Sequence, residues 1–228
     1  MEPDLGGLAW GDIGHITALT TALSTASAGL VDATKAFRGG ISNIGYGFID
    51  LALTPFMPAL KLVDAEDPSG PIKANWLNGM DKTEQKAAAK NLIRLGLTPA
   101  TAATMGKAIP NVDGAALEGA ALKVANGSVL EEPEVNLLAR FDAIVEARLD
   151  AAYERAEQKY RNTARVAAAA IAIVLSMAGW FLVFETHTMQ NFLTALAAGL
   201  LATPLAPISK DLMSALSTAA AAFKSSKS

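Results

Sequence analysis

Nineteen consecutive residues, Val166 to Phe184 (VAAAAIAIVLSMAGWFLVF), carry no charge. As a helix they are long enough to cross the ~30 Å hydrocarbon core of a bilayer. Lys159, Arg161 and Arg165 precede the run, Trp180 stands near its far end and Glu185 closes it, which is the flanking pattern of a membrane span. The competing reading is an alanine-rich core helix, but a helix apolar on every face needs the deep interior of a larger protein.

The preceding segment places Leu138, Phe141, Val145, Leu149, Ala152 and Ala156 on one stripe. No breaker separates that stripe from the charge-free run, so one helix is expected from about Glu131 to Phe184. At 1.5 Å per residue it is roughly 80 Å long, with half in water and half in hydrocarbon. Ser128 and Glu131 have capping-box spacing, and Pro133 is tolerated in a first turn. The order of charges along this stalk, acidic first and basic last, suits the helix dipole and puts Lys159, Arg161 and Arg165 at the lipid headgroups.

A second apolar run, NFLTALAAGLLATPLAPI, follows the short link ETHTMQ. That link is long enough only for a helical hairpin. Small residues recur every four positions, at Ala168, Ala172 and Ser176 in the first span and at Thr194, Ala198, Ala202 and Ala206 in the second, with Ala195, Gly199 and Thr203 beside them. In lipid such residues let helices approach closely, either within the hairpin or between protomers. Pro204 and Pro207 kink or end the second span, and Ile208, Leu212, Leu216, Ala219 and Phe223 align along an amphipathic tail. Basic residues precede the first span and follow the second, with none in the link. Both termini and the helical head are therefore expected on the cytoplasmic side.

Composition agrees with a helical membrane protein. Apolar residues make up 51% and charged residues 18% of the chain, and the mean hydropathy is +0.29; soluble domains carry roughly 25% charge. Much of the apolar share is alanine and aromatics are scarce, which favours helix over strand. The opening MEPDLGGLAW has two acids and no basic residue, unlike a secretory leader, so insertion is expected from internal segments.

Upstream, Ile16, Leu19, Leu23, Leu30 and Val31 recur at helical intervals and predict an amphipathic helix ending near FRGG. Ile41 to Val63 is apolar enough to span a bilayer but contains Asp50, Pro55 and Pro58. A central carboxylate costs about 2.5 to 3.5 kcal/mol there, so an interfacial or docked helix is expected, with a third span as the alternative. Asp64 to Pro71 (DAEDPSGP) reads as a linker. Three short helices follow: Asp81 caps the first and Gly96 stops it; Thr98 caps the second with Pro99 at its first position; Asp113 begins the third, which ends at Asn126-Gly127. The expected division is thus 1–63, linker 64–71, a small helical domain 72–130, stalk 131–165, hairpin 166–208 and tail 209–228.

Chemical groups are sparse. Cysteine is absent, and His15 and His187 are the two histidines; on the expected topology they face opposite sides of the membrane. No nucleophile elbow, Walker loop, metal-ligand spacing or dinucleotide fingerprint occurs. No catalytic, metal or cofactor site is expected. Asp50 is a candidate intramembrane acid, set against an ordinary carboxylate in water. Gly45-Tyr46-Gly47 lacks the residues and pore-helix context of a potassium filter, so its glycines are read as points of close helix approach. The stretch NLIRLGLTPATAATMGKAI has a helix-turn-helix outline. Residues 64–130 nevertheless balance seven acids with seven bases, a poor match for a phosphate backbone.

These readings converge on an all-α, non-enzymatic membrane-anchored scaffold or accessory subunit. Its expected partners are membrane lipid and either copies of itself or other subunits, with no nucleic acid. A pore-forming protein and a soluble helical enzyme or binding module are the alternatives.

Overall fold

In a computed structural model the chain is all-helical, with no strand among the described residues. The structure describes residues 10–34, 40–183 and 188–202, with the backbone alone at 10–17 and 183. The expected tail and Pro204, Pro207 and Ala206 lie outside the described residues. Two compact units divide the chain: Ser42–Tyr160 forms one, and the described parts of Met1–Ile41 and Arg161–Ser228 form the other.

The second unit holds α1 (Trp10–Ala33). The Ser42–Tyr160 unit starts with α2 (Asn43–Leu53), a 3-10 turn at Thr54–Phe56 and α3 (Met57–Val63), followed by α4 (Gly70–Asn78) and α5 (Lys82–Leu95). Next come α6 (Pro99–Ala108), α7 (Gly114–Ala125) and the first part of α8 (Glu132–Val183). The last described helix, α9 (Met189–Ala202), returns to the second unit.

Local chemistry sets the helix ends in the places the sequence marks. Asp81 accepts a hydrogen bond from the Thr83 N–H at 2.8 Å, and Asp113 accepts from Ala115 and Ala116. Thr98 and Thr101 form a capping box with Pro99 at the first position. Gly127 takes a left-handed φ of 66° after α7, a conformation glycine adopts without a Cβ penalty. The start of α8 lies later than the Ser128 spacing implies. Glu134 reaches back to accept from the Glu131 N–H at 2.8 Å, so the acidic pair 131/134 caps this helix. From Glu132 the helix continues without interruption for 52 residues.

The expected linker Asp64–Pro71 is a turn over 64–69 whose last two residues already begin α4, with the Asp64 carboxylate accepting from the Glu66 and Asp67 N–H groups, both at 3.0 Å. It lies inside the Ser42–Tyr160 unit and separates no domains. The helices on either side of it, together with the stalk expected at 131–165, share one core. Ile49, Leu53, Phe56 and Leu60 from α2 to α3 pack with Ile72, Ile93, Met105 and Leu117, and with Phe141, Val145, Leu149 and Tyr153 of α8. Residues 41–63 accordingly use their apolar side chains as core, the docked alternative of the sequence reading. Gly45 enables this: a Cβ there would collide with the Ala156 carbonyl of α8.

A ladder of ion pairs joins α5 to α8. Lys82 pairs with Glu154 and with Glu157 at 3.4 Å, Lys86 with Asp150, Lys90 with Glu146 at 2.7 Å and Asp142 at 2.9 Å. Arg94 grips Asp142 with two bonds of 2.7 and 2.6 Å. The cations recur every four residues on α5 and their acids every four on α8, running in opposite directions. Four residues rise about 6 Å along each helix, so the rungs stay in step. Burial by itself raises the Asp142 carboxyl, but the hydrogen bonds from Arg94 and Lys90 outweigh it and hold the group below its ordinary range. The hydrogen bonds that Lys90 donates to Glu146 and Asp142 raise its ammonium in turn.

Aromatic packing closes one end of this core. Trp76 meets Tyr153 and Tyr160 edge-on, with ring centres 6.2 and 6.5 Å apart, and its indole N–H donates to the Ser42 carbonyl at 2.8 Å. Burial pushes the Tyr46 hydroxyl up to about 12, although it donates to the Ser69 carbonyl at 3.1 Å. Burial also raises Tyr153, whose hydroxyl is enclosed without a hydrogen-bond partner in the chain.

Two outcomes test this packing. Replacement of Asp142 by Asn should lower the unfolding free energy of the Ser42–Tyr160 unit by about 1–2 kcal/mol in chemical denaturation, since it weakens a charge-assisted, partly buried contact. A carboxyl with a depressed folded value contributes stability that is present above its unfolded value near 4 and is lost as pH falls through the folded value. The difference between Asp142→Asn and the parent should therefore be largest near neutral pH and shrink as acid is added below pH 4. Tyr153→Phe removes an unpartnered buried hydroxyl while keeping the ring, and should leave the thermal midpoint unchanged or raised.

Candidate lipid-facing surface and helix seam

Small residues build the interior of the second unit. On α1 the buried positions are Thr20, Ser24, Ser27 and Val31; on α8 they are Ala168, Ala172 and Ser176; on α9 they are Ala195, Ala198, Gly199 and Ala202. Outside stand Leu19 and Leu30 on α1, Val166, Val174, Phe181 and Leu182 on α8, and Leu193, Leu200 and Leu201 on α9. Val166 is 70% and Leu182 79% exposed, whereas Ala172 and Ala202 are fully enclosed. The Ser42–Tyr160 unit has the opposite order, with Tyr153, Phe56, Phe141 and seven leucine or isoleucine side chains fully buried at its centre.

The inversion has a direct physical meaning. In water, large apolar side chains lower the free energy by leaving solvent, at about 25 cal/mol per Å². In hydrocarbon that drive vanishes, and helices associate through close backbone approach and hydrogen bonds between small side chains. The seam between α8 and α9 is built this way. Ser176 donates across it to the Ala195 carbonyl at 2.5 Å. A Cβ on Gly199 would sit 3.0 Å from the Ile173 Cα and 3.2 Å from the Ser176 Cβ. Trp180 meets Phe192 edge-on at 5.5 Å near the other end.

Of the small residues spaced by four, Ala168, Ala172, Ser176, Ala198 and Ala202 are buried. Thr194 is exposed, and its hydroxyl donates to the Gln190 carbonyl of its own helix at 2.9 Å. Ala195 and Gly199, one position on, take its face. The apolar face assigned to α1 is also corrected. Leu19 and Leu30 point outward and Leu23 is half-buried, while the hydroxyl-bearing Thr20, Ser24 and Ser27 point inward. The side chain of Ile16 lies outside the described residues.

Lys159, Arg161 and Arg165 are exposed on α8 just before the charge-free run. Two helical stretches, Gly40–Val63 and Glu132–Leu182, are long and apolar enough to cross a membrane by length and composition. In the first, Tyr46, Ile49, Leu53, Phe56 and Leu60 lie in the Ser42–Tyr160 core while Ile44, Phe48, Leu51 and Leu62 are exposed, as is Asp50 on α2. The His15 side chain and His187 lie outside the described residues. Among the described residues no three His, Asp or Glu side chains gather as metal ligands. An open groove of about 270 Å³ between α2 and α8 is lined by Phe48, Leu51, Ala52, Arg148, Ala152 and Arg155, among others, below the ~300 Å³ at which small-molecule pockets begin.

Comparisons with family models, with curated proteins and with solved structures find no match to this chain.

A bulky residue in the seam tests its geometry. Gly199→Leu should separate α8 from α9 and cost about 1–3 kcal/mol by overpacking, seen as a lower midpoint of thermal aggregation in mild detergent. Leu200→Ala, on the exposed face, should leave that midpoint within about 0.5 kcal/mol of the parent.

Proposed function

We propose that the chain is a non-enzymatic, membrane-anchored helical scaffold or accessory subunit. Its Ser42–Tyr160 unit is water-borne, and the apolar part of α8 with α9 forms a hairpin in the bilayer. The observation that carries this reading is the inverted order of side chains in the second unit: alanine, glycine and serine inside, with leucine, valine and phenylalanine outside. Exposed leucine, valine and phenylalanine around a small-residue interior is the order a helix takes toward lipid, where burying large apolar side chains brings no gain.

Lys159, Arg161 and Arg165 then lie at the headgroups, and Tyr160 and Trp76 supply aromatic rings beside them in sequence and in packing. By the same rule the face carrying these cations is cytoplasmic. The scaffold role is supported by a rigid, ion-pair-braced helical unit. It presents exposed apolar side chains such as Phe48 and Leu51 beside Arg148 and Arg155, a mixed surface suited to a protein partner. Because the α8–α9 seam is filled within one chain, assembly uses surfaces other than that seam.

Alkaline carbonate washing of membranes from expressing cells should leave the protein in the pellet. Native mass measurement in mild detergent should then give a multiple of the chain mass or a complex with a second protein. Recovery in the carbonate supernatant would overturn the anchor, and a lone monomer with no co-purifying protein would overturn the scaffold role.

A further inference from the structure

The anchor proposed above has two spans, yet the second unit has three helices. α1 packs against α9, and its Val31 packs in a cluster with Ala164, Ala167, Ala168 and Ile171 of α8 and with Ile41. We infer that α1 is a third membrane-spanning helix, so that the residues before Trp10 share a membrane face with the link 185–188. The inference rests on the hairpin reading and goes beyond it.

Length comes first. Trp10–Ala33 has 24 residues, about 36 Å at 1.5 Å per residue, enough to cross a ~30 Å core. Residues 16–31 contain no ionisable group. Its average hydropathy is diluted by Thr, Ser and Ala, which is why the sequence reads as a weakly amphipathic surface helix.

The faces decide between surface and span. A helix lying on a membrane turns a strongly polar or charged face to water. The exposed positions of α1 between 18 and 31 are Ala18, Leu19, Thr21, Ala22, Ala26, Gly29 and Leu30, none of them charged. Thr20, Ser24 and Ser27 face inward instead. Their hydroxyls are compatible with hydrocarbon because they bond to helix carbonyls: Ser27 donates to the Ser24 carbonyl and, on the outer side, Thr25 to the Thr21 carbonyl, each at 2.9 Å. Bonding of this kind satisfies serine and threonine within spanning helices.

Packing then sets the direction. α9 runs back along α8, with Phe192 beside Trp180 and Gly199 beside Ile173. The end of α1 at Val31 meets α8 where the charge-free run begins, at Ala168. Its other end therefore reaches the depth of the α8–α9 turn. Charges at the two ends agree. In the sequence Lys35 and Arg38 follow α1, whereas residues 1–17 contain Glu2, Asp4 and Asp12 and no Lys or Arg. An excess of basic residues marks the cytoplasmic face. Trp180 falls toward the opposite face, where indoles settle at the interface. This topology replaces the expectation that both termini are cytoplasmic, and it places residues 15 and 187 toward the same face.

The chain has no cysteine, so single-cysteine variants of the full-length protein report sidedness without background. Gly6→Cys, Thr186→Cys and Glu118→Cys are expressed separately in cells with an intact membrane. Each is treated with a membrane-impermeant maleimide before and after permeabilisation. The expected result is labelling of Gly6→Cys and Thr186→Cys in intact cells, with loss of labelling for Glu118→Cys until permeabilisation. If Gly6→Cys is protected together with Glu118→Cys while Thr186→Cys is labelled, the third span is wrong and the hairpin stands. If Thr186→Cys behaves like Glu118→Cys, the hairpin itself falls, and the inference with it.

Discussion

Everything in this structure is referred to α8, whose backbone satisfies its own hydrogen bonds for 52 residues without a break. A helix is the one element that can pass from water toward hydrocarbon without exposing unpaired N–H or C=O groups. Its first part offers a stripe of large side chains, Phe141, Val145, Leu149 and Tyr153, around which α2 to α7 collect. Its later part offers Ala168, Ala172 and Ser176, against which only small surfaces fit. The two units differ because one helix changes the size of its buried side chains along its length.

Charge reinforces the first arrangement. The α5–α8 ladder uses long side chains that bridge helices without requiring backbone contact, while Gly45 brings α2 close to Ala156 by having no side chain at all. Long reach on one flank and close approach on the other hold α8 between two neighbours at different distances. Exposed ion pairs contribute little singly. Asp142, gripped by two cations and partly buried, contributes most among the rungs.

Much of this was legible beforehand. The all-helical class, the caps at Asp81, Thr98 and Asp113, and the unbroken helix through Arg165 follow from local rules that act over a few residues. The ladder was present as matching four-residue spacings at Lys82, Lys86, Lys90 and Arg94 and at Asp142, Glu146, Asp150 and Glu154. Read segment by segment, those charges looked like ordinary solvation, since pairing between helices some 60 residues apart leaves no mark in either one. Thr194 was misplaced by one position for a similar reason, because an alanine-rich helix has several small faces and only its neighbour selects among them.

The sequence by itself determined where helices begin and end and where charge is forbidden, because caps, breakers and charge-free runs act locally on backbone hydrogen bonding and solvation. Only the tertiary structure decided which face of each helix is inside. That choice depends on what surrounds the helix. Thr20, Ser24 and Ser27 are inside and Leu19 and Leu30 outside, an order that the hydrophobic spacing of the helix alone does not yield and that packing against α8 and α9 produces.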